Sequence, residues 1–274
     1  MTKPNYGEKV RLTVAQAVLK FLAAQYSVSD GVRRRFVPAA MGIFGHGNVA
    51  GLGQALDQYS DILPFVQGRN EQGLAHAATA FAKQSLRKQV IAVTASVGPG
   101  SMNMVTAAAL ATVNRVPLLL LPGDVYTTRR QGPVLQQLEN SSAPDISSND
   151  AFRPVSKFFD RITRPEQLLY SLPQAFRVLA SPVDTGAVVI SLPQDIQSHA
   201  FDWPEEFFSE REWKIRRPVP AQEDVDAAAK VISAAKYPVI IAGGGITYSG
   251  ATAELEALAN ATGIPVCEIG RAHV

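Results

Sequence analysis

Three short apolar runs rich in β-branched or leucine residues, at 90–95, 116–121 and 186–192, recur along this chain, and stretches with helical spacing lie between them. A strand buried on both faces reads as a continuous apolar run, and a helix between two such strands returns the chain parallel to where it began. The alternation predicts an α/β fold with a doubly wound parallel sheet. Residues 13–25 supply the first helix, with Val14, Ala17, Val18, Phe21 and Leu22 on one stripe behind a Thr13 cap. A short strand at 41–44 is broken by Gly45-His46-Gly47-Asn48-Val49-Ala50-Gly51, and 52–59 returns to helix. Further helices are expected at 71–84, from Gly98-Pro99-Gly100 to about 112, and at 166–179. Residues 131–153 are polar and weakly patterned, as in a long loop with one short helix at most.

These elements assign residues 1–199 to an N-terminal domain. The composition then changes to proline, tryptophan and mixed charge, so 200–222 reads as a linker. A second α/β domain begins at 223–268, with helices at 223–235 and 251–261, strands at 238–242 and 263–266, and a turn at Gly243-Gly244-Gly245. One such unit cannot cover both faces of its own sheet, so this domain is expected to be incomplete. Residues 269–274 read as a non-native tail, with authentic sequence ending near Cys267.

Bulk properties exclude several classes. The formal net charge is +2 and the basic residues are scattered apart from Arg33-Arg34-Arg35 and Arg216-Arg217, which argues against a nucleic-acid partner. Cys267 is the single cysteine, which rules out an internal disulfide framework and a cysteine-rich metal site and suits a reducing cytoplasm. No stretch approaches the roughly 20 apolar residues that a membrane span requires. No His-Glu-x-x-His metal site and no Gly-x-Ser-x-Gly elbow occurs, and Gly98-Pro99-Gly100 lacks both the Lys-Ser/Thr of a phosphate loop and the spacing of a dinucleotide fingerprint.

Chemistry is concentrated around Arg69-Asn70-Glu71-Gln72-Gly73-Leu74-Ala75-His76-Ala77-Ala78. Glu71 opens a helix built largely of alanine and glycine, so its carboxyl group stands close to the packed interior. Desolvation there would favour the protonated form. The alternative is a first-turn glutamate that faces solvent and complements the helix dipole.

The same residues resemble the glutamate-bearing helix of the acetolactate-synthase-like, thiamine-diphosphate-dependent enzymes, which share an Arg-x-Glu-Gln-Gly-x-x-His-Ala-Ala pattern. Further matches follow in the family's order at Phe44-Gly45, Gly98-Pro99-Gly100 with Asn103, Gly123-Asp124, Gln136, Lys157 and residues 188–193. The resemblance continues through Ile241-Ala242-Gly243-Gly244-Gly245 and Gly263-Ile264-Pro265-Val266. It implies a pyrimidine-binding domain in which the Glu71 carboxyl group hydrogen-bonds a ring nitrogen of the cofactor's aminopyrimidine and so promotes loss of the thiazolium proton. Asn103 is implied as a further cofactor contact, and His76 reads as a supporting residue. The family's Gly-Asp-Gly signature for magnesium and diphosphate is missing, which places those ligands in a C-terminal domain beyond this chain. The resemblance further implies a homodimer or homotetramer with the cofactor at a subunit interface, and a polypeptide that is inactive by itself.

Within that family the segments Phe44-Gly45-His46-Gly47-Asn48-Val49-Ala50-Gly51 and Pro122-Gly123-Asp124-Val125-Tyr126 are similar to the branch that opens a cyclic polyhydroxylated 1,2-diketone by hydrolytic carbon–carbon cleavage in myo-inositol catabolism. A hydroxylated ring needs polar partners, and His46, Asn48 and Gln136 are the candidates, although a loop histidine or asparagine is often satisfied by backbone instead. The competing readings are an acetolactate-synthase-type carboligase or decarboxylase acting on pyruvate, and a non-catalytic nucleotide-binding module suggested by the fold alone.

Overall fold

The computed structural model describes residues 7–128, 134–138 and 142–269 and divides into two compact units, 1–215 and 216–274. The first unit begins with β1 (Lys9–Thr13), α1 (Val14–Ala23), β2 (Gln25–Ser29), β3 (Val32–Arg35) and β4 (Ala40–Gly42). It continues with α2 (Gln54–Gln58), β5 (Phe65–Gln67), α3 (Glu71–Gln84), β6 (Ala92–Ala95), α4 (Pro99–Met102) and α5 (Val105–Val113). The last elements are β7 (Leu118–Asp124), β8 (Phe158–Arg161), α6 (Leu168–Leu179), β9 (Ala187–Pro193), α7 (Gln194–Gln197), β10 (Ala200–Pro204) and β11 (Arg211–Lys214).

Among the described residues the central sheet has six strands in the order β5-β4-β6-β7-β9-β8, all parallel. Successive side chains on a strand point to opposite faces, and here both faces are dry. Leu119, Leu121, Val188 and Ile190 pack with α1 and α6 residues such as Phe21 and Phe176, whereas Leu118, Leu120, Ala187 and Val189 pack with Ala78 of α3 and Ala108 of α5. The expected doubly wound α/β fold is therefore present, with two cores formed by alternate residues of the same strands. Thr13 caps α1 reciprocally with Gln16, its hydroxyl accepting from the Gln16 backbone N–H while its own N–H donates to Gln16 Oε1.

Sequence patterning missed the short strands β2, β3, β5 and β8, of which β2 and β3 pair in a separate small sheet. The helix expected from Gly98 to about 112 is divided into α4 and α5 around Asn103 and Met104. In the expected loop at 131–153, the described part carries a 3-10 helix at Ser148–Val155.

The segment expected as a linker over 200–222 is ordered for most of its length. Strand β10 pairs antiparallel with β1, and β11 pairs parallel with β2, so both belong to the first unit. Trp203 is the physical reason: its indole is fully buried against Phe201 and Phe207, and its Nε1–H donates to the Leu12 carbonyl at 2.9 Å. Within 200–222 only residues 209–210 and 215–221 have no regular structure.

In the second unit α8 (Gln222–Ala234) is followed by β12 (Ile240–Ala242), α9 (Gly244–Ser249), α10 (Thr252–Thr262) and β13 (Val266–Glu268). Strands β12 and β13 pair in parallel. Gly244 and Gly245, expected in a turn, open α9 instead. Helix α8 buries no residue, and Val231 and Ile241 are exposed. Residues 270–274, in the tail anticipated from sequence, lie outside the described residues.

Candidate active site

Strand order decides where a site can form. From β4 the chain passes to β5 on one side, then returns through α3 to β6 on the other, so the connections diverge at β4 and leave a crevice beyond its carboxyl end. Three segments meet there: residues 43–48 after β4, residues 96–100 after β6, and the first turn of α3 after β5.

The β4 segment is held by Asn48. Its side-chain oxygen accepts from the Gly45 N–H at 2.9 Å, and its Nδ2 donates to the Ile43 carbonyl at 3.0 Å and to Thr94 Oγ1 at 3.2 Å. Asn48 is buried and its amide is fully engaged, so the expectation that it meets substrate is corrected: it is the clip that shapes the loop. His46 is exposed, and its carbonyl accepts from the Val97 N–H at 2.8 Å, joining the two loops. Gln197 holds the far side, its Nε2 donating to the Gly47 and Leu192 carbonyls and its Oε1 accepting from the Leu52 N–H at 3.0 Å.

Glycines allow these loops to approach one another. Gly98 adopts φ +68°, and a methyl group there would run into the Gln136 carbonyl oxygen. A methyl group on Gly45 would lie 2.9 Å from Ser96 Cβ and 3.4 Å from Gln136 Oε1. Gln136 is itself exposed at φ +67°, an unfavourable conformation for a residue with a side chain. His46 and Gln136 are thus brought to the same crevice rim. Ser96, buried beside both Gly45 and Gly100, is a wall residue whose only sequence signal is its place after a strand.

Glu71 is the first residue of α3, whose N-terminus is capped by Asn70: the Asn70 Oδ1 accepts from the Gly73 N–H at 2.8 Å. Its side chain reaches toward the β6 segment, where Asn103 Nδ2 donates to Glu71 Oε2 at 3.0 Å. The other oxygen, Oε1, lies 3.3 Å from where a methyl group on Gly100 would stand, so glycine leaves that oxygen unobstructed. The carboxyl group is half-buried, which falls between full desolvation and free exposure to solvent. His76, farther along α3, is half-buried as well.

A second polar cluster closes the sheet's other carboxyl corner. Asp124 is wholly buried, accepting from Arg161 Nε at 2.8 Å and from Ser191 Oγ at 2.5 Å. Arg161 also donates to Asp150 and Ser147, and Asn149 Nδ2 ties Ser191 Oγ to the Gly123 carbonyl. Burial opposes the charge on Arg161, yet Asp124 and Asp150 hold its pKa above the ordinary value. Sequence reading noted Gly123-Asp124 but not this partner, which comes from a different strand. Lys157 is removed from any such chemistry and pairs with Asp184 at 2.5 Å on the surface.

The crevice offers one carboxyl group with a free oxygen and a glycine-lined wall, and among the described residues no group of three or more His, Cys, Asp or Glu could hold a metal ion. No helix of the described residues is long and apolar enough to cross a membrane.

Comparison with known proteins identifies the domains. Residues 27–143 match the thiamine pyrophosphate enzyme N-terminal TPP binding domain, and residues 225–273 match the central domain of thiamine pyrophosphate enzymes. The chain is 54% identical over 259 residues to the 3D-(3,5/4)-trihydroxycyclohexane-1,2-dione hydrolase of Geobacillus thermodenitrificans (strain NG80-2), covering 94% of this chain and 40% of the relative. It is 53% identical over 261 residues to the protein of the same name from Bacillus thuringiensis (strain Al Hakam), covering 95% of this chain and 40% of the relative. The chain therefore spans about 40% of the length of the curated relatives it matches.

Proposed function

We propose, from the premise that the chain belongs to the thiamine pyrophosphate enzymes and carries their N-terminal and central domains, that it serves hydrolytic ring opening of a cyclic polyhydroxylated 1,2-diketone as part of a longer enzyme of inositol catabolism. In that reaction the bond between the two carbonyl carbons breaks; one carbon takes the hydroxyl of water and ends as a carboxylate, and the other takes a proton and ends as an aldehyde. Thiamine diphosphate, when bound, supplies a carbon nucleophile and an electron sink for the bond that breaks.

The chain's own contribution is the acid at the crevice. Glu71 Oε1 would exchange a proton with a ring nitrogen of the cofactor, in a crevice bordered by the segments around Gly45 and Gly98. His46 and Gln136, at the rim, are the proposed partners for substrate hydroxyl groups. Magnesium, the diphosphate site, and a dimeric or tetrameric assembly with the cofactor between subunits in the cytoplasm belong to the same proposal and concern the longer protein.

The observation that carries this reading is the Glu71 carboxyl group, held on one oxygen and open on the other at the sheet's switch point. In the full-length enzyme Glu71→Gln keeps the shape but removes the exchangeable proton. Proton exchange at the thiazolium carbon, followed by NMR, is expected to fall by orders of magnitude while cofactor still binds; an unchanged rate overturns the assignment. Assay of the same enzyme with the cyclic diketone against pyruvate separates the hydrolase from an acetolactate-synthase-type carboligase.

A further inference from the structure

We infer that Asn103 is a positioning residue that decides which oxygen of Glu71 carries the catalytic proton. The inference rests on the role proposed for Glu71. A carboxyl group has two equivalent oxygens until its surroundings distinguish them, and here they differ. Asn103 Nδ2 donates to Oε2 at 3.0 Å, occupying that oxygen as an acceptor. Oε1 faces the backbone of Gly100, which bears no side chain to cover it. An ionised carboxylate bound in this way keeps Oε2 on the amide and presents Oε1 to whatever ring nitrogen enters the crevice.

The position of Asn103 follows from the break between α4 and α5. Gly98, at φ +68°, starts α4, and its carbonyl accepts from Ser101 Oγ and the Met102 N–H at 3.0 Å each. Met104 is fully buried and anchors the other side of the break. Asn103 itself is exposed, so its side chain is not fixed by packing, and its amide is held by the bond to Glu71. A residue that merely filled space would be buried; this one reaches across from another segment to a single carboxyl oxygen.

The test uses the full-length enzyme with Asn103→Leu, and with the near-isosteric Asn103→Asp should the leucine variant fail to fold. Losing a hydrogen bond to a charged group is expected to slow thiazolium proton exchange roughly tenfold or more at saturating thiamine diphosphate. Cofactor affinity by calorimetry is expected to stay within about threefold, since Asn103 does not touch the ring in this account. Crystals of either variant are expected to show the Glu71 carboxyl group rotated from its native orientation. An exchange rate equal to wild type, or a loss of cofactor affinity as large as the loss of rate, would overturn the inference, the latter by making Asn103 a direct cofactor contact. If Glu71→Gln abolishes exchange while Asn103→Leu does not slow it, Glu71 keeps its role and only the positioning fails.

Discussion

Arg161 reaches over strand β9 to Asp124. The two residues lie on β8 and β7, which flank β9 on opposite sides; Arg161 is paired in register with Ser191, and its Nε donates to the buried Asp124 carboxylate at 2.8 Å. The pair, with Ser191, ties three neighbouring strands at their carboxyl ends, at the corner of the sheet away from the crevice.

Removing one partner of a largely buried ion pair leaves an uncompensated charge. Arg161→Leu is expected to destabilise the N-terminal unit by about 3 kcal/mol, since Asp124 would remain buried without its cation. The loss is expected to be smaller when Asp124→Asn is present as well, because the stranded charge is then gone. Chemical unfolding of the three variants checks this; additive losses would show that the pair is not coupled.

Asp150 makes stability depend on acid. Burial acts to raise its pKa, but hydrogen bonds from Arg153 and Arg161 and from the Ser147 backbone outweigh it and hold the value below the ordinary 3.8. The unfolded chain therefore binds the proton more readily than the folded one, so the contribution is present above the unfolded pKa and is lost as pH falls through the folded value. Stability measured at pH 5 and at successive points below 4 is expected to decline, and Asp150→Asn to flatten that decline. A slope unaffected by the substitution would remove Asp150 from the account.

Gly98→Ala tests whether the crevice wall needs a residue without a side chain. The new methyl group would run into the Gln136 carbonyl and occupy a φ of +68° that side chains rarely adopt. The expected cost is about 2–3 kcal/mol, read from the midpoint of urea unfolding. A variant as stable as wild type would mean that the 98–136 contact is easily relaxed.

Trp203 predicts where the chain can be cut. Because β10 and β11 are paired into the first unit, limited digestion with subtilisin is expected to cleave within 215–221 and to spare 200–214. Mass spectrometry of the products decides it, and early cleavage at 200–204 would restore those residues to a linker.

What the sequence determined by itself was the parallel α/β layering and the place of Glu71. Apolar runs such as 118–121 and 187–190 have no alternation because alternate residues enter different cores, and that pattern is visible without coordinates. The position of Glu71 was legible because the helical spacing begins there, as α3 does, whereas its proposed role came from the family resemblance and not from local spacing. The short strands β2, β5 and β8 were not legible, since three to five residues carry too little periodicity and their pairing partners are remote. Tertiary structure alone decided that Asn48 clips a loop, that Trp203 binds the supposed linker to β1, and that Asn103 and Arg161 face carboxylates 32 and 37 residues away. Each of those outcomes depends on which segments meet at the carboxyl edge of the sheet, and strand order, not local spacing, brings them together.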